Sequence, residues 1–380
     1  MNRNFITNPF LTSGYISEKY FCNRQTETER LMTNILNGQS TSLISARRMG
    51  KTGLIKHVLN KLSDSITGIY LDILATENRA EMLNQLATAV VMAVQGKKGP
   101  AKKVLTFIKS LRPVFTYDPL SGMPQVSFHM HQDEINLQIE SLFLFLGEQQ
   151  QSFLIAIDEF QQILFYPEKN TDAWLRSIIQ SLPNICFIFS GSRQHLMTDL
   201  FSNPSRPFFR SADFMSLGRI SSADYIPFIG SHFSNARKEI SDQTIREVLE
   251  WSDHHTYYVQ LLCNRLFAKQ IDNITMESWK QTAHELLMEQ ELLFIKYREL
   301  LTRQQWELMK AVAREGKVFE PTSKGFIARY GLGSPSTVFR SLQALQQKEM
   351  IYDEYDNTGN QYWSVYDVLF RRWMGLSRIK

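Results

Sequence analysis

The segment Ser45-Ala46-Arg47-Arg48-Met49-Gly50-Lys51-Thr52 joins a short apolar run to a helical pattern, and its residue types suit the capture of a triphosphate. Backbone N–H groups of such a loop, with the positive end of the following helix, surround a β-phosphate. Lys51 would reach the β and γ oxygens, and the Thr52 hydroxyl would ligate Mg2+. Gly50 lets the backbone come close to the ligand, and Gly53 closes the candidate loop. This is a Walker A pattern with one departure: Ser45 stands where the first glycine is usual, which puts the turn geometry in question. The competing reading is a chance Gly-Lys-Thr at a helix start, against which the upstream strand and a later acidic strand both weigh. Arg47 and Arg48 read either as phosphate contacts or as a solvated basic pair.

Further along, the apolar run Leu154–Ile157 ends in Asp158 and Glu159, a Walker B pattern. Asp158 would hold Mg2+ through its water shell, and Glu159 would polarise the attacking water as general base. A buried strand whose acidic end simply meets solvent is the alternative. The next apolar run, Cys186–Phe189, ends in Ser190-Gly191-Ser192. Ser190 and Ser192 are candidate sensor hydroxyls for the γ-phosphate or the water. Arg193, Arg206 and Arg210 follow, and Arg210 is taken as the arginine that would stabilise charge in the transition state.

Positioning these groups requires alternating strands and helices. The pattern predicts a helix over 27–36, a strand over 42–45, a helix over 53–62, a strand over 66–74 and a helix over 79–95. A basic break at 96–103 leads to an insertion over 104–130, read as a helix and a hairpin turning at Leu120-Ser121-Gly122. A helix from His131 to 148, the acidic strand, a helix ending near Leu182 and the sensor strand complete the series. The expectation is an α/β core with a mainly parallel sheet covered on both faces. Residues 221–300 read as almost entirely helical, which predicts a lid domain. From 301 the order is helix, helix, helix and then a hairpin tipped by Asn357-Thr358-Gly359, which is that of a winged helix-turn-helix. The expected domains are thus 1–220, 221–300 and 301–380.

The chain has 380 residues, 43% hydrophobic and 21% charged, as in an ordinary globular protein. Its charge of +4, from 42 basic and 38 acidic residues, argues only weakly for a nucleic-acid partner. From Leu301 on, twelve Lys/Arg stand against eight Asp/Glu, an excess carried by Arg371, Arg372, Arg378 and Lys380 at the tail. Arg340 and Lys348 are the basic residues of the third helix, and the wing bears Asp353, Glu354 and Asp356, which repel phosphate. A protein or intramolecular role for the winged helix is therefore favoured over DNA binding. Cys22, Cys186 and Cys263 lack metal-type spacing and sit in apolar runs, which implies reduced thiols and a cytoplasmic location. No apolar run is long enough to span a membrane.

Together YFCNR, SARRMGKT, LIAIDEF, FIFSGS and RPFFRS resemble the archaeal-type ATPase branch of the STAND and AAA-like P-loop NTPases. The resemblance covers nearly the whole chain, the winged helix included. It implies ATP and Mg2+ as cofactors, Phe21, Asn23 and Arg24 flanking the adenine, and sites completed by an arginine of a neighbouring subunit, hence oligomerisation. A Gly-x-Pro turn often opens the lid in such proteins, and here His254-His255-Thr256-Tyr257-Tyr258 takes its place. The two histidines read as loop residues rather than metal ligands. The function so implied is that of an Mg-ATP-hydrolysing molecular switch with an unidentified protein partner. An ATP-dependent DNA-binding regulator and a nucleotide binder without turnover are the alternatives.

Overall fold

The computed structural model describes residues 8–94, 100–119, 122–128, 132–356 and 358–376. Leu120 and Ser121 of the expected hairpin turn, residues 96–99 of the basic break, His131, Asn357 at the wing tip, and Arg378 and Lys380 lie outside them. The chain forms two compact units: 13–220 is one, and 221–380 with the described residues up to Thr12 is the other.

The first unit runs α1 (Gln25–Leu36), β1 (Thr41–Ile44), α2 (Lys51–Lys61), β2 (Ile66–Asp72), α3 (Arg79–Val94), α4 (Pro100–Ser110), β3 (Val114–Tyr117), β4 (Pro124–Ser127), α5 (Gln132–Gly147), β5 (Ser152–Asp158), α6 (Thr171–Ile179), β6 (Ile185–Gly191), α7 (Gln194–Ser202) and β7 (Asp213–Ser216). Five strands make one sheet in the order β2-β5-β6-β1-β7, with every neighbouring pair parallel. β1, β5 and β6 are buried along almost their whole length, which is why β5 and β6 read as apolar runs, while β1 buries the polar Thr41 and Ser42 ahead of Leu43 and Ile44. β2, at an edge, alternates between buried and half-buried positions. On one face Leu83, Leu86 and Val90 of α3 pack with Leu142 of α5, and on the other Leu31 of α1 packs with Leu54 and Val58 of α2. Each such side chain contributes about 2 kcal/mol relative to exposure.

Between α3 and α5 the insertion forms α4 and the β3–β4 hairpin. It is tied down by Phe107 stacked on Phe145 at 4.0 Å and by the Val126 N–H, which donates to Thr88 Oγ1 at 2.9 Å. Because all sheet strands run the same way, β1, β5 and β6 deliver the 45–52 loop, the Asp158-Glu159 pair and Ser190 and Ser192 to one edge.

The second unit comprises α8 (Ser222–Asn235), β8 (Glu239–Ile240), α9 (Asp242–Trp251), α10 (Thr256–Ala268), β9 (Asn273–Ile274), α11 (Met276–Glu289), α12 (Glu291–Glu299), α13 (Arg303–Glu315), α14 (Lys324–Tyr330), α15 (Pro335–Gln347), β10 (Ile351–Tyr355), β11 (Gln361–Val365) and α16 (Val368–Leu376). Six of its described helices, α8, α9, α11, α13, α14 and α15, open on hydroxyl caps: the side chains of Ser221, Ser241, Thr275, Thr302, Ser323 and Ser334 each accept from an N–H of the first turn. β10 and β11 pair antiparallel as the wing. The N-terminal residues join this unit through Phe10, which is buried among Phe228, His232, Phe233 and Phe267. Asn8 and Asn264 clasp the strap, Asn8 Nδ2 donating to the Asn264 carbonyl at 2.8 Å and Asn264 Nδ2 to the Phe10 carbonyl at 2.7 Å. Among the described residues no helix is long and apolar enough to cross a membrane.

Candidate active site

The chain leaves β1 at Ile44 and turns through residues 45–50 into α2. Ser45 is not among the residues with positive φ, so the position that usually holds glycine needs no left-handed backbone here. Arg48 at φ 61° and Gly50 at φ 97° adopt it instead. The Ser45 hydroxyl donates to the Ala46 carbonyl at 3.0 Å and accepts from Lys51. Lys51 Nζ lies 3.0 Å from the Ser45 carbonyl, 3.1 Å from Ser45 Oγ and 3.1 Å from the Ala46 carbonyl. Burial pushes this ammonium down to about 8, while Glu159 and Asp158 pull it upward.

β5 does not adjoin β1, because β6 runs between them. Asp158 is nevertheless reached from three elements. Thr52 of α2 donates to its Oδ2 at 2.7 Å, Tyr70 of β2 donates to the same oxygen at 2.9 Å, and Ser190 of β6 donates to Oδ1 at 2.7 Å. The Glu159 N–H adds a bond to Oδ1 at 3.1 Å. Burial, then the neighbouring Asp158 charge, raises the Tyr70 phenol well above its ordinary value and keeps it a donor. Glu159 itself adopts a left-handed backbone at φ 56°, which turns its side chain off the strand line. Its Oε2 accepts from Gln161 Nε2 at 2.6 Å and from Ser192 Oγ at 2.8 Å. Arg47 Nε stands 3.5 Å from the same Ser192 hydroxyl.

Lys51, Thr52, Ser45, Ala46, Asp158, Glu159, Ser190 and Ser192 thus lie together, Ser190 bonded to Asp158 and Ser192 to Glu159. Phe21 stands at the start of α2: a side chain on Gly53 would meet its ring at 3.5 Å. It stacks on His57, with ring centroids 4.5 Å apart and planes 23° apart, and Tyr15 closes the cluster by bonding His57 Nδ1 at 2.9 Å. Arg24 is buried and acts as a strut, donating to the Met49 carbonyl at 3.3 Å, the Gly218 carbonyl at 2.7 Å and Glu27 at 2.9 Å. Asn23 is exposed, and its side chain accepts from the Gln25 N–H at the start of α1. Arg210 is exposed with its guanidinium over Phe209, and among the described residues it is not bonded to Lys51, Thr52, Asp158 or Glu159.

Three residues escaped the sequence reading. Tyr70 carried no sign beyond its place near the end of an alternating strand. Gln161 follows the acidic pair by two residues, on a short 3-10 helix over Phe160–Phe165 that no periodicity announces. Gly191 lies where an added Cβ would collide with Gln161 Oε1 and Met197, so glycine is needed for the close passage of β6.

The donor set fits the groups it would hold. Two hard oxygens, Thr52 Oγ1 and Asp158 Oδ2, lie side by side, which suits an Mg2+ held by the first directly and by the second through water. The left-handed turns at Arg48 and Gly50, the α2 N-terminus and a buried ammonium match a phosphate.

No protein of curated function matches the chain in sequence. Residues 292–375 match the family described as "Probable winged helix domain". Among solved structures, the Walker-type ATPase PABY2304 of Pyrococcus abyssi aligns over 97% of this chain and 100% of its own, with a TM-score of 0.66 and 18% identity. The Aeropyrum pernix ORC2 protein, solved as ADPNP-ADP complexes, aligns over 97% of both chains with a TM-score of 0.55 and 13% identity. Its ADP form gives 0.52 at 13% identity, over 97% of this chain and 95% of that one. Likeness at such identities speaks for fold, and the fold of this chain is that of a P-loop ATPase with a five-stranded parallel sheet and a C-terminal winged helix domain.

Proposed function

We propose that the chain binds Mg-ATP at the 45–52 loop, hydrolyses it, and works as a nucleotide-dependent switch whose winged helix meets protein or another part of the chain. The observation that carries this is the convergence on one edge of a buried ammonium, a hydroxyl–carboxylate pair, and a second carboxylate held by Ser192 and Gln161. Lys51 would exchange the loop carbonyls for β and γ oxygens, a trade that restores full charge to a group burial has made easier to deprotonate. Mg2+, when bound, supplies charge neutralisation to those oxygens, with Thr52 as ligand and Asp158 behind its water shell. Glu159 presents Oε1 to a water, because Ser192 and Gln161 both bond Oε2. Ser190 positions Asp158 rather than the phosphate. Phe21 offers an apolar face for the base, Asn23 and Arg24 frame that side, and Arg210 remains the assigned arginine on the γ-phosphate side.

The likeness to a Walker-type ATPase and to a protein solved with ADPNP and ADP supports nucleotide chemistry. On the winged helix, α15 exposes Phe339 and Arg340, while the wing carboxylates Asp353 and Glu354 are engaged by Gln346, Gln361 and Tyr362. An aromatic beside one cation suits a protein surface better than a phosphate backbone.

The test pairs two variants. Glu159→Gln should keep Mg-ATP affinity while turnover falls by roughly a hundredfold or more, whereas Lys51→Ala should lose binding. Wild-type protein that takes up no nucleotide with magnesium refutes the proposal, and turnover indifferent to Glu159→Gln refutes the assigned base. A salt-dependent DNA shift abolished by Arg340→Ala would move the winged helix to the DNA reading.

A further inference from the structure

The positive charge of the chain is gathered in one place. Residues 96–128 contain six of the 42 Lys/Arg and one of the 38 Asp/Glu, Asp118, so they carry a net charge of +5 while the rest of the chain is negative by one. A basic run is ordinarily a solvated face, but here the fold gives it a shape. Val104 and Ile108 turn inward from α4 into the core, and Phe107 stacks on Phe145. Lys103 and Lys109 are left on the exposed side of the helix, and Arg112 stands exposed just after it. Among the described residues none of the three enters an ion pair. β3 follows directly. Its partner β4 is fastened to α3, the Val126 N–H donating to Thr88 Oγ1 at 2.9 Å and the Phe128 N–H to Asn84 Oδ1 at 2.9 Å. β3 is therefore the outer strand of an anchored hairpin, and all four of its residues are exposed. Phe115 at 42% and Tyr117 at 73% exposure, two residues apart, project from the same face of the strand.

Charge and rings together indicate the partner. A polyanion satisfies the cations, and exposed flat rings hold bases by stacking; a strand whose bases are unpaired offers both. Other surfaces fit less well. A helix that lies on a membrane needs an open apolar face, and that of α4 is buried in the core. Protein interfaces are depleted in lysine, whereas five of the six cations here are lysine. We propose that α4 and β3 form a binding surface for single-stranded nucleic acid, with phosphates along Lys103, Lys109 and Arg112 and bases stacked on Phe115 and Tyr117. Charge and stacking do not distinguish the 2′-hydroxyl, so DNA and RNA strands bind alike. The surface uses no residue of the 45–52 loop or of the winged helix, and binding requires no ATP.

The test is fluorescence anisotropy of a labelled oligothymidylate of about 15 nucleotides with the full chain and no ATP, circular dichroism verifying the folding of each variant. Wild type should bind, log K falling against log salt with a slope of about −2 or steeper, at about 0.7 for each contacted phosphate. Lys103→Gln, Lys109→Gln and Arg112→Gln together should weaken binding at low salt by at least about tenfold and flatten the slope by about 2. Tyr117→Ala should weaken it by roughly tenfold with the slope unchanged. Tyr117→Phe should bind as wild type does, since stacking uses the ring alone. A blunt duplex, whose bases are already stacked, should bind more weakly than the strand, and oligouridylate as well as it. Wild type that binds no strand at low salt overturns the proposal. So does binding indifferent to both the triple exchange and Tyr117→Ala, or binding lost on Arg340→Ala, which would place the strand on the winged helix. Attachment to phosphatidylserine vesicles that the same variants abolish, with no strand bound, would also overturn it and assign the surface to a membrane.

Discussion

Asp158 accepts from three side chains, and those bonds differ in what they do. Thr52 would turn its oxygen to Mg2+, so in the proposed function its bond to Asp158 would mark the place where metal enters. Tyr70 has no second role of that kind, and its phenol only fixes the Oδ2 lone pair that would face the metal's water shell. Tyr70→Phe should therefore leave ATP affinity without metal unchanged while raising the Mg2+ concentration for half-maximal turnover by roughly fivefold, the equivalent of one lost hydrogen bond. Titration of the ATPase rate with MgCl2 checks this; an unchanged midpoint would show Tyr70 to be packing alone. Gly191→Ala acts on the other carboxylate. Its Cβ would displace Gln161 and Met197, removing one of the two donors on Glu159 Oε2. Turnover should fall by at least about tenfold with ATP affinity retained, as single-turnover and equilibrium-binding measurements would reveal.

Among elements, β7 shows how a weak strand is kept in place. Only one of its four residues is buried, but its first, Asp213, receives two bonds from Arg30 at 2.9 and 2.8 Å and one from Asn34 at 2.9 Å. Burial by itself raises the Asp213 carboxyl, yet the bonds from Arg30 and Asn34 outweigh it and hold the value below the ordinary one. A folded value below the unfolded one contributes stability that is present above the unfolded pKa and lost as pH falls through the folded one. Asp213→Asn should thus cost about 1 kcal/mol at neutral pH, and the difference from wild type should close as pH drops below about 4. Urea midpoints of both proteins across pH measure it. Phe10 makes a parallel case at the other unit. With 1% exposure inside an aromatic cage, its replacement by alanine should destabilise 221–380 by about 3 kcal/mol, seen as a lower thermal midpoint for that unit.

At the scale of the whole molecule, α16 closes the second unit. Phe370, Trp373 and Met374 enter the winged helix core, Arg372 donates to the carbonyls of Glu250 and Trp251, and Arg371 lies 3.5 Å from Asp253. The helices of 221–300 and the winged helix are thereby one compact body rather than beads on a string. A chain ending at residue 367 should lose the cooperative unfolding of this unit, since removing Phe370 and Trp373 alone forgoes more than about 5 kcal/mol of packing. A truncated chain that still melts as sharply as wild type would contradict that role.

The phosphate loop and the acidic strand were legible because their chemistry demands particular residue types in contiguous order: an ammonium and a hydroxyl at a helix start, carboxylates at the end of an apolar run. The central strands β5 and β6 were legible for a related reason, since burial on both faces favours apolar residues, as in Phe153–Ile157 and Ile185–Phe189. β7, α7 and α16 were not, for the first is short and half exposed, and the helices sit in stretches where aromatic and basic residues blur the periodicity. Nor was the attachment of Phe10 to helices more than two hundred residues away in the chain, because nothing local encodes a distant partner. The sequence by itself thus determined which groups would bind and cleave a nucleotide in the function proposed above. Only the tertiary structure decided that Tyr70, Gln161 and Gly191 hold them, that β6 separates the two motif strands, and that Phe115 and Tyr117 stand exposed on β3. Those are relations between segments brought side by side by burial, and no run of neighbouring residues contains them.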